Sequence, residues 1–248
     1  MMYEAFAAVY DRLMDDFDYP KWADYYLRLL ARNGKTPGTI CECACGTGSM
    51  TVEFAARGLR VTASDLSGDM LEVARQKLFS RGVSAMLVRR DMCEMELPRP
   101  VDAVVCACDG VNYLTSDARL TAFFRRANEM LVPGGILAFD VSSAYKLRSI
   151  LGNGFFGEER DDVAYLWFNH WCEERQTVSM DLTFFVREKD GRYRRFSEQH
   201  VQKAHAPEHL AELLQTCGFE NVEIFGDKTL AAPGATEARL HLIARKGI

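Results

Sequence analysis

The segment Thr39-Ile40-Cys41-Glu42-Cys43-Ala44-Cys45-Gly46-Thr47-Gly48 decides the fold. A short apolar run ends in small residues and glycines, and the helical pattern Ser49–Arg57 follows it and stops at Gly58. Small residues at such a turn let the backbone approach a ligand closely, and the helix start offers free N–H groups. Seventeen residues past Gly48, the alternating strand Leu59, Val61, Ala63 ends at Asp65, an acid placed to accept from ribose hydroxyls. A tight strand–helix turn with a capping aspartate is the plainer reading, and the acid at the end of the second strand weighs against it.

The alternation continues on both sides. Ser67 is placed to cap a helix whose apolar positions Met70, Leu71, Ala74 and Leu78 fit a 3.6 period, closed by Gly82. Ala85–Val88 and Val101–Cys108 read as strands, and Ser116 as the cap of a helix with Leu120, Phe123, Phe124, Ala127 and Leu131 on one stripe. Val132-Pro133-Gly134-Gly135 breaks that helix before the strand Ile136–Val141. Upstream, residues 1–35 read as a helical cap, with Trp22, Tyr26, Leu29 and Leu30 on one face and Gly34 as its stop. Pro207 opens a last helix ended by Gly218, and Val222–Phe225 and Leu240–Ala244 complete seven strands. Strands alternating with helices predict an α/β, doubly wound, mostly parallel seven-stranded sheet of Rossmann-like type, built from 36–149 and 206–248. Between them, 150–205 carries the β-rich runs Tyr165–Trp171 and Thr177–Val186 and a turn at Lys189-Asp190-Gly191. These predict an inserted antiparallel β module.

Composition sets the class. In 248 residues, 48% are hydrophobic and 26% charged, which excludes a mostly disordered chain. Thirty-five acids against thirty bases leave −5, which disfavours a protein that coats nucleic acid or an anionic membrane. No apolar run approaches ~18 residues, so no membrane-spanning helix is expected. The eight cysteines lie largely in apolar runs, which suits reduced thiols and a cytoplasmic location. Cys41, Cys43, Cys45, Cys106 and Cys108 match no paired zinc spacing, so core thiols and no metal are expected.

A dinucleotide fingerprint from Gly46 needs glycine where Thr51 stands, and a start at Ala44 is again mismatched at Ser49. A phosphate loop needs a lysine, and Gly48-Ser49-Met50 has none. Glu42-Cys43-Ala44-Cys45-Gly46-Thr47-Gly48, then Ala63-Ser64-Asp65-Leu66-Ser67-Gly68-Asp69-Met70-Leu71, Arg90-Asp91-Met92 and Leu131-Val132-Pro133-Gly134-Gly135 together resemble the class I S-adenosylmethionine-dependent methyltransferases. The likeness runs from Tyr3 to about Val141 and resumes at Ala206–Phe219 and the final strands. The opening Tyr3–Asp11, Asn112-Tyr113 and the aromatic insertion resemble a bacterial small-molecule branch with a glycine N-methyltransferase-like layout. Glu42 stands where the family often has Asp, and Ala44 where it often has Gly.

The resemblance implies S-adenosylmethionine as cofactor and S-adenosylhomocysteine as product. It puts Ala44, Cys45, Gly46, Thr47 and Gly48 along the methionyl part and Asp65 on the ribose. Leu66 and Met70 would flank the adenine, with Asp91 on its amino group and the Met92 backbone beside it. Cys108 and Asp109 would lie next to the cofactor amine and the acceptor, and Tyr10 and Trp22 would close over the cofactor. A small-molecule acceptor with an N, O or C nucleophile is the expected partner. Rival readings are an RNA or protein methyltransferase and a non-catalytic cofactor-binding module. Cys108-Asp109-Gly110-Val111 lacks the Asn/Asp-Pro-Pro-Tyr/Phe tetrapeptide that amino-methylating nucleic-acid enzymes of this class often carry, which disfavours nucleic acid.

Catalytic residues are left open. His170, His200 and Asp109 are the candidates for acid–base work, whereas His205, His209 and His241 read as solvated or core residues. Arg192-Tyr193-Arg194-Arg195-Phe196 has the mix of a grip on RNA, but beside a turn it reads as a solvated strand face. The N-terminal helices and the insertion both join the frame near the carboxyl ends of the strands, so together they are expected to form the acceptor side of the pocket. The oligomeric state is not legible.

Overall fold

The computed structural model describes residues 4–13 and 17–247; Tyr3, where the family likeness opens, lies outside them, as do residues 14–16 between the first two helices. The chain runs α1 (Glu4–Leu13), α2 (Tyr19–Leu30), β1 (Thr39–Cys43), α3 (Ser49–Ala56), β2 (Arg60–Asp65), α4 (Gly68–Ser80), β3 (Met86–Arg89), β4 (Val101–Cys106), α5 (Asp117–Met130) and β5 (Leu131–Ser142). It continues with β6 (Phe155–Glu159), β7 (Val163–Cys172), β8 (Thr177–Arg187), β9 (Tyr193–Lys203), α6 (Pro207–Thr216), β10 (Phe219–Phe225) and β11 (Arg239–Lys246).

Seven strands form one sheet in the order β10-β11-β5-β4-β1-β2-β3, parallel except for β11, which is antiparallel to both neighbours. Successive residues of these strands face opposite sides, and each side is covered. Cys41, Val104 and Phe139 pack with Phe123 and Phe124 of α5 and Leu210 of α6. Ile40, Val105 and Ala138 pack with Tyr26 and Leu29 of α2 and Phe54 of α3. The expected caps are present: Ser67 accepts from Met70 N and Ser116 from Arg119 N, and Pro207 opens α6.

Three expectations shift. β4 stops at Cys106, because Cys108 and Asp109 turn into left-handed backbone, at φ 59 and 54. β5 begins at Leu131 and carries Pro133-Gly134-Gly135 within it, accommodated by a register shift against β4 between Val101 and Ala103. β10 begins at Phe219, with an irregularity between Glu220 and Glu223.

β6, β7, β8 and β9 make a separate antiparallel four-stranded sheet. Its Tyr165, Trp167, Leu182, Phe184 and His200 point to one face, and Leu166, Phe168 and Val201 to the other. The edge strand β6 and a π-helical turn, Lys146–Leu151, have no periodic signature in the sequence. No described helix is long and apolar enough to cross a membrane.

Candidate active site

β1 lies between β2 and β4, so the strand order reverses there and a crevice opens outside the carboxyl ends of the strands. Two loops border it. After β1, Ala44, Gly46 and Gly48 all have positive φ, and a Cβ on Gly48 would sit 2.7 Å from the Cβ of Ala74 on α4. Gly48 therefore lets α3 start tightly against α4. After β4, the left-handed Cys108 and Asp109 precede Gly110, where a Cβ would meet Cys106 Sγ at 2.8 Å and Ala44 Cβ at 3.1 Å. Non-glycine residues in this region are strained and persist where the surroundings over-determine them.

Asp140, fully buried on β5, does that. Cys108 N and Asp109 N donate to its two carboxylate oxygens at 2.7 and 2.9 Å, and Tyr26 OH donates at 2.6 Å. Arg239 of β11 pairs with Asp140 and, at 2.7 Å, with Asp109 Oδ1, while its guanidinium lies 5.1 Å from the Trp22 ring. Gln202 of β9 donates to Asp109 Oδ2 at 2.9 Å. Burial alone would raise the Asp109 carboxyl; Arg239, Lys146 and Gln202 outweigh it and hold it below the usual range. Asp109 is thus a fixed anion rather than a base.

On the other side of the crevice, Asp65 accepts from Gly46 N at 2.8 Å and Ser67 N at 2.9 Å, tying the glycine loop to the start of α4. Burial raises its pKa against these N–H bonds, and each oxygen keeps acceptor capacity for a ligand hydroxyl. Glu42 is buried, and Thr51 OH donates to it at 2.6 Å. Burial pushes the Glu42 carboxyl up to about 8. Its folded value therefore exceeds its unfolded one, the folded chain holds an extra proton between about 4.5 and 8, and stability falls as pH rises through that window. In Glu42→Gln, which still accepts from Thr51, this contribution should vanish, removing a slope of at most about 1.4 kcal/mol per pH unit. Urea unfolding of both proteins at about pH 5 and pH 8 checks it; parallel pH profiles would refute it.

These groups share one cavity of about 550 Å³. Tyr10, Ala44, Cys45, Gly46, Thr47, Asp65, Leu66, Met70, Met92, Cys108, Asp109 and His200 line it. Four residues singled out from the sequence do not. Gly48 packs behind the loop on Ala74. Trp22 is buried beneath Arg239 and His241. Asp91 accepts from Cys93 N at 2.9 Å and pairs with Arg119 of α5 at 2.7 Å, which outweigh burial and keep its carboxylate low. His170 is on the outer face of the inserted sheet, its side chain 71% exposed and 3.9 Å from Asp181.

The cavity also takes in four polar residues that sequence reasoning missed, beside residues of the insertion, which was expected on this side of the pocket. Arg90, Lys146, Gln202 and Arg239 line it, as do Tyr165, Trp167, Met180, Leu182 and Phe184 from the inner face of the inserted sheet. An acid inside the apolar run Leu137–Val141 was the available signal for Asp140; Arg239 had none. Burial lowers the His200 pKa, so its imidazole is neutral at pH 7. Above the cavity, α1 is fastened on both sides. Asp11 accepts from Thr47 OH at 2.6 Å and pairs with Lys77 at 2.8 Å, and Arg12 pairs with Asp162 while Val9 packs on Val163 and Val186. All eight cysteines are free thiols, and among the described residues no group of three His, Cys, Asp or Glu is arranged for a metal.

Known proteins match this chain closely. Residues 40–135 fit a family model described as a methyltransferase domain. YqeM of Bacillus subtilis (strain 168), a protein named only as a candidate methyltransferase, is 34% identical over 247 residues, covering 99% of this chain and 98% of its own. The solved S-adenosylmethionine-dependent methyltransferase from Clostridium acetobutylicum ATCC 824 is 30% identical over 99% of both chains, with a TM-score of 0.89. The dTDP-3-amino-3,4,6-trideoxy-alpha-D-glucopyranose N,N-dimethyltransferase of Streptomyces venezuelae is 28% identical, covering 74% of this chain and 76% of its own.

Proposed function

Because the chain belongs to the class I S-adenosylmethionine-dependent methyltransferases, we propose that it moves the cofactor's methyl group to an N, O or C nucleophile of a small molecule by in-line displacement. One observation carries the small-molecule part: a single cavity runs from the glycine loop and Asp65 to the inner face of the inserted sheet, beneath a helix fastened at both sides. The Streptomyces venezuelae relative, named for an amino-sugar acceptor, supports the same reading.

The donors present suit the cofactor. Asp65 retains acceptor capacity for ribose hydroxyls, and Leu66 and Met70 offer apolar walls for a base. The backbone at Ala44–Gly46 and Cys108 can approach an amino acid moiety closely. Bound there, S-adenosylmethionine supplies an electrophilic sulfonium methyl and leaves as S-adenosylhomocysteine. Tyr10, Phe17, Tyr113 and the inner face of the inserted sheet keep water from the acceptor, which favours a reaction that disperses charge. His200 is neutral and can take a proton from an acceptor that needs to lose one. Asp109, fixed by Arg239 and Gln202, orients the acceptor beside the β4 turn. The free thiols suit the cytoplasm as the working compartment.

The test is incubation with methyl-labelled cofactor and a low-molecular-mass metabolite extract, or with total RNA or protein. Label should enter a small molecule only. Label in RNA or protein would replace the acceptor class, and no transfer despite cofactor binding would favour a regulatory module.

A further inference from the structure

Among the described residues, three cationic side chains line the cavity: Arg90, Lys146 and Arg239. Arg239 is engaged by Asp109 and Asp140. Arg90 is exposed and stands on the cofactor side, where its backbone N–H donates to Asp65 O at 3.0 Å. Lys146 differs from both. Its Nζ donates to Ser142 Oγ at 3.1 Å and pairs with no described carboxylate. An ammonium has three N–H donors, so two of them are uncommitted.

The fold fixes the lysine in this position. Lys146 opens the π-helical turn after β5, a rare geometry that recurs at functional sites. Leu147 and Leu151 of that turn are buried in one cluster with Val178 and Met180 of β8, which pins it beneath the inserted sheet. Lys146 N donates to Ser143 Oγ at 3.1 Å, and the fully buried Ser142 draws the ammonium toward the end of β5. β4 separates β5 from β1 and its glycine loop, so this cation stands on the acceptor side of the cavity, with Leu151 and Gln202.

Burial lowers the Lys146 pKa against the opposing field of Asp109 and Asp140. Those carboxylates are bonded directly by Arg239, Gln202 and backbone N–H groups, so the lysine shares their field without bonding them. One hydroxyl does not offset the desolvation of an ammonium, whereas a charge-assisted bond to an anion does. Bound S-adenosylmethionine brings a net positive charge into the same cavity, which further favours an anionic acceptor over a cationic one.

We propose that Lys146 binds an anionic oxygen group of the acceptor, a carboxylate or a phosphate, and so determines which small molecules are methylated. The proposal rests on the methyl-transfer reading above. The apolar remainder of the acceptor packs on Trp167, Leu182 and Phe184 of the inserted sheet.

The test uses the protein saturated with S-adenosylhomocysteine and four probes of one chain length: hexanoate, hexyl phosphate, hexanol and hexylamine. Calorimetry on the wild type should rank one or both anions about 10-fold or more tighter than hexanol and hexylamine. The tighter of the two anions identifies the group. Lys146→Met should erase the preference while S-adenosylhomocysteine affinity stays within about 2-fold, and Lys146→Arg should keep it. Lys146→Gln serves if the methionine variant folds poorly. Equal binding of hexanol and both anions by the wild type, or a preference that survives in Lys146→Met, overturns the assignment. A loss of about 10-fold in S-adenosylhomocysteine affinity in that variant overturns it too, because the ammonium then serves the cofactor's own carboxylate. Failure of the wild type to bind S-adenosylhomocysteine at all would instead overturn the methyl-transfer reading beneath it.

Discussion

Asp140→Ala should destabilise the protein by about 3–5 kcal/mol, the usual result of removing one partner from a buried ion pair. At about 2–4 °C per kcal/mol for a chain of this length, Tm falls by roughly 6–20 °C. The carboxylate accepts from Cys108 N, Asp109 N and Tyr26 OH and pairs with Arg239, and all of these lose a buried partner at once. Two of them belong to left-handed residues, so the β4 turn should also lose the strained shape that borders the crevice. Urea unfolding gives the stability, and S-adenosylhomocysteine calorimetry on the folded fraction gives the effect on the site. A loss below about 1 kcal/mol would mean that Asp140 does not hold this turn.

Asp65→Ala should weaken S-adenosylhomocysteine binding at least about 10-fold, since one charge-assisted hydrogen bond contributes about 1.5–3 kcal/mol. The structure adds a second cause, because the same carboxylate fastens Gly46 N and Ser67 N. Asp65→Asn keeps a carbonyl for one of these N–H groups and should fall between alanine and the wild type. Calorimetry with S-adenosylhomocysteine, with NAD alongside as the rival nucleotide, measures it. Tight NAD binding with no response to S-adenosylhomocysteine would refute the assignment.

What the sequence made legible was local chemistry. The glycine loop, the Ser67 and Ser116 caps and Pro207 at the start of α6 each act through residues within one turn of themselves. Alternation placed the strands for the same reason, since β1, β4 and β5 split their side chains between two faces. The residues that gather at the crevice were harder. Arg239 reaches Asp109 from a strand 130 positions later, and no local pattern records that meeting. Asp91 looked available until Arg119, on α5, engaged it. Cys106-Ala107-Cys108 reads as continuous strand because all three residues are small and apolar, whereas its end is imposed by Asp140 on the neighbouring strand β5. The inner face of the inserted sheet was legible as aromatic, but its direction toward the cavity depends on register between β7, β8 and β9.

The position of Arg239 has a consequence for biosynthesis. Chains are made from the N-terminus, and segments fold as they emerge. The glycine loop, β4 and β5 are all synthesised well before β11, so Asp109 and Asp140 converge on a nascent chain that lacks the guanidinium between them. Two carboxylates brought together without that cation repel. The cation that joins the two carboxylates beside the crevice is thus supplied by one of the last segments to be made.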